Sequence, residues 1–169
     1  MDEIAALLEP HIPALRRYAW ALWRDADAAD DLVQDTLERA IARWRLRRRN
    51  GDLRAWLFTI ERNLFLSAMR QRARRGPHLG VGVLENVASE AGHQDGAGQA
   101  RDVLAGLDTL PEEQRSVLLL VGVEGLSYAE AASVLGVPVG TVMSRLSRGR
   151  EKLRQIMETG RAVGLRRVK

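Results

Sequence analysis

The chain has 169 residues, of which 46% are hydrophobic, and it carries 26 Lys and Arg against 22 Asp and Glu. This length suits one medium domain or two small ones. It contains no cysteine, which excludes disulfides and thiolate metal sites and fits a reducing compartment. The first ten residues lack the layout of a signal peptide, and no apolar run approaches a membrane span. We therefore expect a soluble, cytoplasmic protein without direct membrane insertion.

Charge is unevenly distributed along the chain. Residues 25–38 hold six acids and no base, whereas residues 43–49 hold five arginines. Such segregation predicts an acidic docking face and separate basic faces for a polyanion.

Helical periodicity dominates, and almost no segment alternates as a strand does. A first helix is predicted from Ile4 or His11 to Trp23. Its start is left open because Pro10 and Pro13 favour a helix start over a helix interior.

A second helix is predicted from about Ala26 to Trp44, with Asp25 or Asp27 as the cap. Three-four spacing defines its inner stripe: Ala29, Leu32, Val33, Thr36, Leu37, Ala40, Ile41 and Trp44. The acids at 27, 30, 31, 35 and 38, with Gln34, fall on the other side. From these residues alone, this face is either solvated, which is the commoner case, or bound to a basic protein.

A third helix is predicted from Leu53 to about Arg74, capped by Asp52 and stopped by the dipeptide Gly76-Pro77. Its predicted buried face is Leu53, Trp56, Leu57, Ile60, Leu64 and Ala68. Predicted to point elsewhere are Arg54, Arg62, Asn63, Ser67 and Arg70. Aromatic side chains beside arginines can stack unpaired bases, but Trp56 fits the core equally well, so both interpretations stay open.

Residues 77–99 are rich in glycine and weakly periodic, which predicts a flexible linker, with at most one helical turn at Val83–Val87. A short helix at Arg101–Leu107 and a helix from Pro111 to Val123 should follow. The predicted fold is all-α, with two small helical domains at residues 1–76 and 100–160: a bundle of three or four helices, then a helix-turn-helix.

The helix-turn-helix is predicted from the segment SYAEAASVLGVPVGTVMSRLSRGREKL, residues 127–153. Ala132, Gly136 and Val142 supply the small contact residue, the turn glycine and the apolar plug that this motif needs. The second helix should begin near Pro138, with Val142, Leu146, Gly149 and Leu153 inward. Short polar and basic side chains point outward, which favours DNA binding over a merely solvated basic helix.

The histidines His11, His78 and His93 are scattered, without metal-ligand spacing or an acid to orient a base. No glycine-rich phosphate loop joins a strand to a helix. We expect no catalysis, no metal and no cofactor.

The order of three segments is more specific than any one of them: DDLVQDTLERAI (30–41), LRAWLFTIERNLFLSAMRQRARR (53–75) and LPEEQRSVLLLVGVEGLSYAEAASVLGVPVGTVMSRLSRGREKLR (110–154). Together they resemble the extracytoplasmic-function (ECF) sigma factors of bacterial RNA polymerase, over nearly all of residues 11–157. The strings LPEEQR, GLSYAEAA and GTVMSRLSRGREKLR carry the strongest likeness.

The resemblance implies a non-catalytic subunit that brings core RNA polymerase to promoters and is held in check by an anti-sigma factor. It implies contacts to the polymerase flap, and to the clamp helices of the largest subunit through Asp31, Gln34, Asp35 and Glu38. It implies capture of the minus-ten element by Arg54, Trp56, Arg62, Asn63, Ser67 and Arg70, with the loop Arg47–Leu53 holding a flipped base. It implies recognition of the minus-thirty-five element through Thr141, Met143, Ser144, Arg145, Ser147, Arg148, Arg150 and Lys152.

Two residues depart from the family pattern. Ser67 replaces a common aspartate, and Met143 replaces a common basic residue, so the promoter preference is expected to differ. Two rival functions remain. One is a polymerase-independent helix-turn-helix regulator, which would normally need a dimer interface. The sequence shows no heptad pattern and no spare apolar stripe for such an interface, so we expect a monomer. The other is a sigma mimic that titrates an anti-sigma factor.

Overall fold

The computed structural model describes residues 1–76 and 96–167, and all regular secondary structure in these two ranges is helical. The all-α prediction is confirmed, while most of the predicted linker, including Val83–Val87, lies outside the described residues. The chain divides into two compact units, whose described parts are residues 1–76 and, for the most part, residues 96–167. No helix in the described ranges combines the length and apolar character that crossing a bilayer requires.

The first unit is a bundle of three main helices preceded by a short one. Its elements are α1 (Asp2–Leu8), a 3₁₀ turn (Glu9–His11), α2 (Ile12–Trp23), α3 (Ala26–Ala42), a 3₁₀ turn (Trp44–Leu46) and α4 (Leu53–Arg74). Helices α2, α3 and α4 pack on one another. The two early prolines explain the 3₁₀ turn between α1 and α2, because a proline within a helix removes a hydrogen bond.

The boundaries of α3 and α4 follow from capping residues that the sequence predicts. A carboxylate oxygen of Asp25 accepts a hydrogen bond from the Ala28 amide at 2.8 Å, and Asp52 accepts one from the Arg54 amide at 2.9 Å. Each bond satisfies an amide that has no partner within its own helix. At the other end, α3 stops at Ala42 and not at Trp44.

Aromatic side chains fill the core of the first unit. The rings of Tyr18 and Phe58 meet edge to face at 5.3 Å, and those of Trp23 and Phe65 do so at 4.9 Å. The predicted stripe of α3 is buried except toward its C-terminus, where Ile41 is exposed. Placing Ile41 in the core was therefore wrong: it is 36% exposed, because α3 ends one residue later and the packing around its last turn is incomplete.

The second unit contains four helical segments. They are α5 (Gly96–Asp108), α6 (Glu112–Val117, extended by a π-helix at Leu118–Val123), α7 (Tyr128–Leu135) and α8 (Val139–Arg167). Helices α5 and α6 pack against α8. Helix α5 begins at Gly96 and not at Arg101, so four residues that the sequence assigned to the linker are helical.

Helices α7 and α8 form the predicted helix-turn-helix. The Ser127 hydroxyl accepts a hydrogen bond from the Glu130 amide, and the Glu130 carboxylate accepts one from the Ser127 amide, which is a complete capping box. Gly136 then ends α7 with a φ of 65°, and Val142 and Leu146 of α8 are buried. A left-handed residue at the helix end allows a sharp turn into α8.

We expect Gly136→Ala to destabilise the second unit by about 1–2 kcal/mol, because a Cβ is strained in the left-handed region. Gly160→Ala is the matched control, since Gly160 lies within α8, has no atom within 4 Å of an added Cβ and no left-handed backbone. The control should be neutral or stabilising by about 0.5–1 kcal/mol. Urea unfolding followed by circular dichroism measures both. Equal midpoints for the two variants would contradict the strained turn.

Candidate nucleic-acid and protein interfaces

The acidic face of α3 is solvent-exposed, as the sequence predicts. Exposed on it are Asp27, Asp30, Asp31, Gln34, Asp35 and Glu38. The Gln34 amide donates a hydrogen bond to the Glu38 carboxylate at 3.1 Å. Asp31 and Asp35, one turn apart, form no ion pair with any described residue. Their charge is therefore available to a cationic partner.

A groove of about 510 Å³ runs between α3 and α4. Asp31 and Asp35 line one wall, and Asn63 and Ser67 line the other. The structure thus places two of the predicted polymerase-docking residues beside two of the predicted minus-ten residues. The two surfaces are neighbours on one unit, although they lie far apart in sequence.

The arginine-rich segment 43–49 forms the turn between α3 and α4, and its aromatic residue is held in place. The rings of Trp44 and Trp56 meet edge to face at 6.2 Å, and the Arg47 guanidinium lies 4.8 Å from the centre of the Trp44 ring. Both tryptophans are half-buried. Trp56 therefore serves the packing of the first unit and still presents part of its ring to solvent.

The remaining predicted minus-ten residues on α4 differ in exposure. Asn63, Ser67 and Arg70 are exposed, and the Arg70 guanidinium donates a hydrogen bond to the Ser67 hydroxyl at 3.2 Å. Arg54 is half-buried, with its guanidinium 5.8 Å from the Phe58 ring. Arg62 is buried, so the prediction that it points to solvent is wrong. Since α4 packs against both α2 and α3, its buried face is broader than one stripe.

His11 lies near the start of α4. Partial burial, and then the nearby Arg54 guanidinium, lower the pKa of His11 against an opposing effect of Asp52. The lowered pKa favours the neutral form of the His11 imidazole.

The outward side of α8 carries exposed polar and basic side chains. Met143, Ser144, Ser147, Arg148, Arg150 and Lys152 are exposed, while Thr141 and Arg145 are half-buried. Arg148, Arg150 and Lys152 form no ion pair with any described residue.

Two other arginines of α8 are paired. An Arg145 nitrogen lies 3.7 Å from a Glu113 carboxylate oxygen of α6, so Arg145 is partly committed to the unit's own structure. Arg154 pairs with Glu151 and Glu158 at 2.6 and 2.7 Å. This pairing raises the pKa of Arg154 and lowers that of Glu151. Among residues 139–160 of α8, the cations without an ion pair to a described residue are therefore Arg148, Arg150 and Lys152.

Several residues that shape these surfaces were not predicted from the sequence. The Glu113–Arg145 pair joins residues from different helices, so no local pattern indicates it. The contact of Arg47 with Trp44 lies within one turn, three residues apart, and was also not predicted. The exposure of Tyr128 could have been anticipated, because it directly follows the helix cap Ser127 and precedes the first buried turn. Within the described ranges, no three acidic or histidine side chains are grouped as a metal site.

Together, the fold and these surfaces define a helix-turn-helix protein of the sigma-factor type, with a second helical unit that carries an acidic face. Comparison with known proteins supports that class. Residues 8–61 match the family model "Sigma2 domain of PhyR", and residues 100–153 match "Sigma-70, region 4".

Among curated proteins, the ECF RNA polymerase sigma factor EcfG of Rhodopseudomonas palustris is 42% identical over 146 residues, which cover 86% of this chain and 80% of EcfG. Among solved structures, the sigma factor RpoE of Bartonella quintana, bound to the anti-sigma factor NepR, is 37% identical with a TM-score of 0.82. It matches over 94% of this chain and 98% of that one. The PhyRSL–NepR complex of Sphingomonas sp. Fr1 is 26% identical with a TM-score of 0.63, over 90% and 87% of the two chains. The chain belongs to the ECF RNA polymerase sigma factors.

Proposed function

We propose that this chain works without catalysis of its own, as the subunit that binds core RNA polymerase through α3 and promoter DNA through α4 and α8. The observation that most strongly supports this proposal is the segregation of opposite charges onto different helices. The α3 acids lack ion pairs with described residues, and so do Arg148, Arg150 and Lys152 of α8. Opposite charges held apart on rigid helices suit two partners of opposite charge.

The proposed docking residues on α3 are Asp31, Gln34, Asp35 and Glu38, with the clamp helices of the polymerase as partner. Uncompensated carboxylates one turn apart repel each other, and a cationic partner removes that repulsion.

For the minus-ten element, the proposed contacts are Arg54, Trp56, Asn63, Ser67 and Arg70. The turn Arg47–Leu53 is the proposed receptor for a flipped base. Extruding a base costs a few kcal/mol of unstacking, which a preformed aromatic and cationic pocket offsets. Trp44 and Trp56, with Arg47 stacked on Trp44, supply that chemistry beside the turn. Buried Arg62 is a supporting residue in this proposal and makes no direct contact to DNA.

For the minus-thirty-five element, the proposed reader is α8, with Met143, Ser144, Ser147 and Arg148 on base edges and Arg150 and Lys152 on phosphates. Half-buried Thr141 and Arg145 border this surface. Arg145 is proposed to reach a phosphate while Glu113 fixes its direction.

The decisive experiment is run-off transcription with purified core polymerase on a randomised promoter library. We expect transcripts that share upstream and minus-ten sequences, and only when this chain is present. Binding of duplex promoter by the chain alone, without polymerase, would instead indicate a conventional helix-turn-helix regulator.

A sigma mimic is the second candidate, favoured by the match of residues 8–61 to the Sigma2 domain of PhyR. A mimic would bind an anti-sigma factor and yield no transcript in the same assay. We favour the sigma factor because a mimic needs no exposed, unpaired arginines on a DNA-reading helix.

We also propose that an anti-sigma factor regulates this chain, since the RpoE relative at 37% identity is bound to one. The anti-sigma factor encoded in the same genome should co-purify with the chain and suppress run-off transcription.

Arg148→Ala should reduce discrimination between the selected promoter and its upstream mutants by about 1–3 kcal/mol, because a bidentate base contact is lost. Arg154→Ala is the matched control, since Arg154 lies on the same helix but pairs with Glu151 and Glu158. Competition binding with reconstituted holoenzyme measures both variants. An equal loss on every sequence would make Arg148 a phosphate contact.

A further inference from the structure

Helix α8 carries an exposed apolar strip on the surface that otherwise holds polar and basic groups. Val139 and Met143 are one turn apart on α8, and their exposed fractions are 42% and 52%. Tyr128, at the start of α7, is 39% exposed. Buried Val142 and Leu146 supply the packing of α8. Met143 is therefore not needed for the core of the second unit.

Met143 borders a groove of about 460 Å³ beside α8. It is lined by Met143 together with Tyr128, Leu146, Ser147, Arg150, Glu151 and Arg154. Met143 and Leu146 are apolar side chains of this groove, and the Arg150 guanidinium has no ion pair with a described residue. The Glu151 carboxylate pairs with Arg154. This set of side chains suits a ligand that is anionic outside and apolar at one point.

Duplex DNA has that combination in its major groove. Phosphates line both sides of the groove. Within the groove, the C5-methyl group of thymine is the apolar group that a protein side chain can contact. A thioether side chain is flexible and polarisable, so it adapts to a small apolar target.

We propose that Met143 contacts the C5-methyl of a thymine in the upstream promoter element and makes this sigma factor prefer thymine at that position. This inference rests on the proposed reading of DNA by α8.

The test replaces each thymine of a selected upstream element, in turn, by deoxyuridine, which removes only the methyl group. With reconstituted holoenzyme, we expect one position at which the replacement weakens competition binding about fourfold, the effect of one buried carbon group. Met143→Ala should bind the thymine and deoxyuridine duplexes equally at that position. Met143→Leu should retain the preference.

Met69→Ala is the matched control, because Met69 is an exposed methionine on α4 of the other unit. The Met69→Ala variant should lose as much affinity on replacement of thymine by deoxyuridine as the unchanged protein does. The inference is overturned if no position responds to deoxyuridine, or if Met143→Ala responds as the unchanged protein does. The inference is also overturned if Met143→Ala prevents assembly of the holoenzyme while deoxyuridine has no effect on binding. The exposed apolar strip would then be a contact to polymerase.

The proposed function fails in a distinguishable way. If Arg148→Ala and Met143→Ala both leave upstream recognition intact, α8 does not read DNA at all. If Arg148→Ala weakens recognition while the methyl has no effect, only the role of Met143 is wrong.

Discussion

Reversing the charges of Asp31 and Asp35 together, to Asp31→Lys and Asp35→Lys, is expected to abolish the binding of this chain to core RNA polymerase. Both side chains are exposed and lie one turn apart on α3. Like charges brought together across an interface cost several kcal/mol, whereas exposed substitutions change the stability of a fold by only about 0.5 kcal/mol. Retention of core polymerase on the immobilised chain measures binding, and thermal unfolding by circular dichroism checks the fold.

The matched control is Asp2→Lys with Glu3→Lys on α1. It changes the net charge by the same amount at two exposed positions of the same unit. The control should retain core polymerase as the unchanged chain does. If the α3 variant retains core polymerase as the unchanged chain does, α3 is not the docking face. If both variants lose core polymerase equally, the effect is a general one of net charge.

Phe58→Ala should destabilise the first unit by about 3–5 kcal/mol, because it opens a cavity at a fully buried aromatic position. Phe58 has no exposed surface and its ring meets that of Tyr18 at 5.3 Å. A small domain has about 5–15 kcal/mol of stability in total. The variant should therefore lose a large share of the free energy of unfolding of this unit.

Tryptophan fluorescence isolates this effect, because the four tryptophans of the chain are Trp20, Trp23, Trp44 and Trp56, all in the first unit. The urea midpoint by fluorescence should fall, while a second phase by circular dichroism keeps the midpoint of the other unit. Leu46→Ala, at an 81% exposed side chain, is the control and should leave the fluorescence midpoint in place. A single coincident transition that shifts as a whole would contradict independent unfolding of the two units.

The helices with strong capping signals were predicted well. Asp25 and Asp52 start α3 and α4 at the predicted residues, because a side-chain cap is a local interaction between neighbours in sequence. The motif from Ser127 through Gly136 likewise fixed the helix-turn-helix, since a capping box and a left-handed glycine act within a few residues.

Burial on α4 was predicted less well. Phe58, Glu61, Arg62 and Phe65 are buried although they lie off the predicted stripe. A single-stripe pattern assumes one packing partner, whereas α4 has two, α2 and α3. The π-helix at Leu118–Val123 also escaped prediction, because a run of apolar residues has no period that would distinguish it from an ordinary helix.

By itself, the sequence determined the all-helical class, the order of two units, the acidic face of α3 and the helix-turn-helix, because caps, periodicity and charge act over a turn or two. Only the tertiary structure decided which charges stay unpaired. It joined Glu113 to Arg145, and it placed Asp31 and Asp35 across a groove from Asn63 and Ser67. Those relations depend on how separate helices pack, and packing is fixed by contacts between residues distant in sequence.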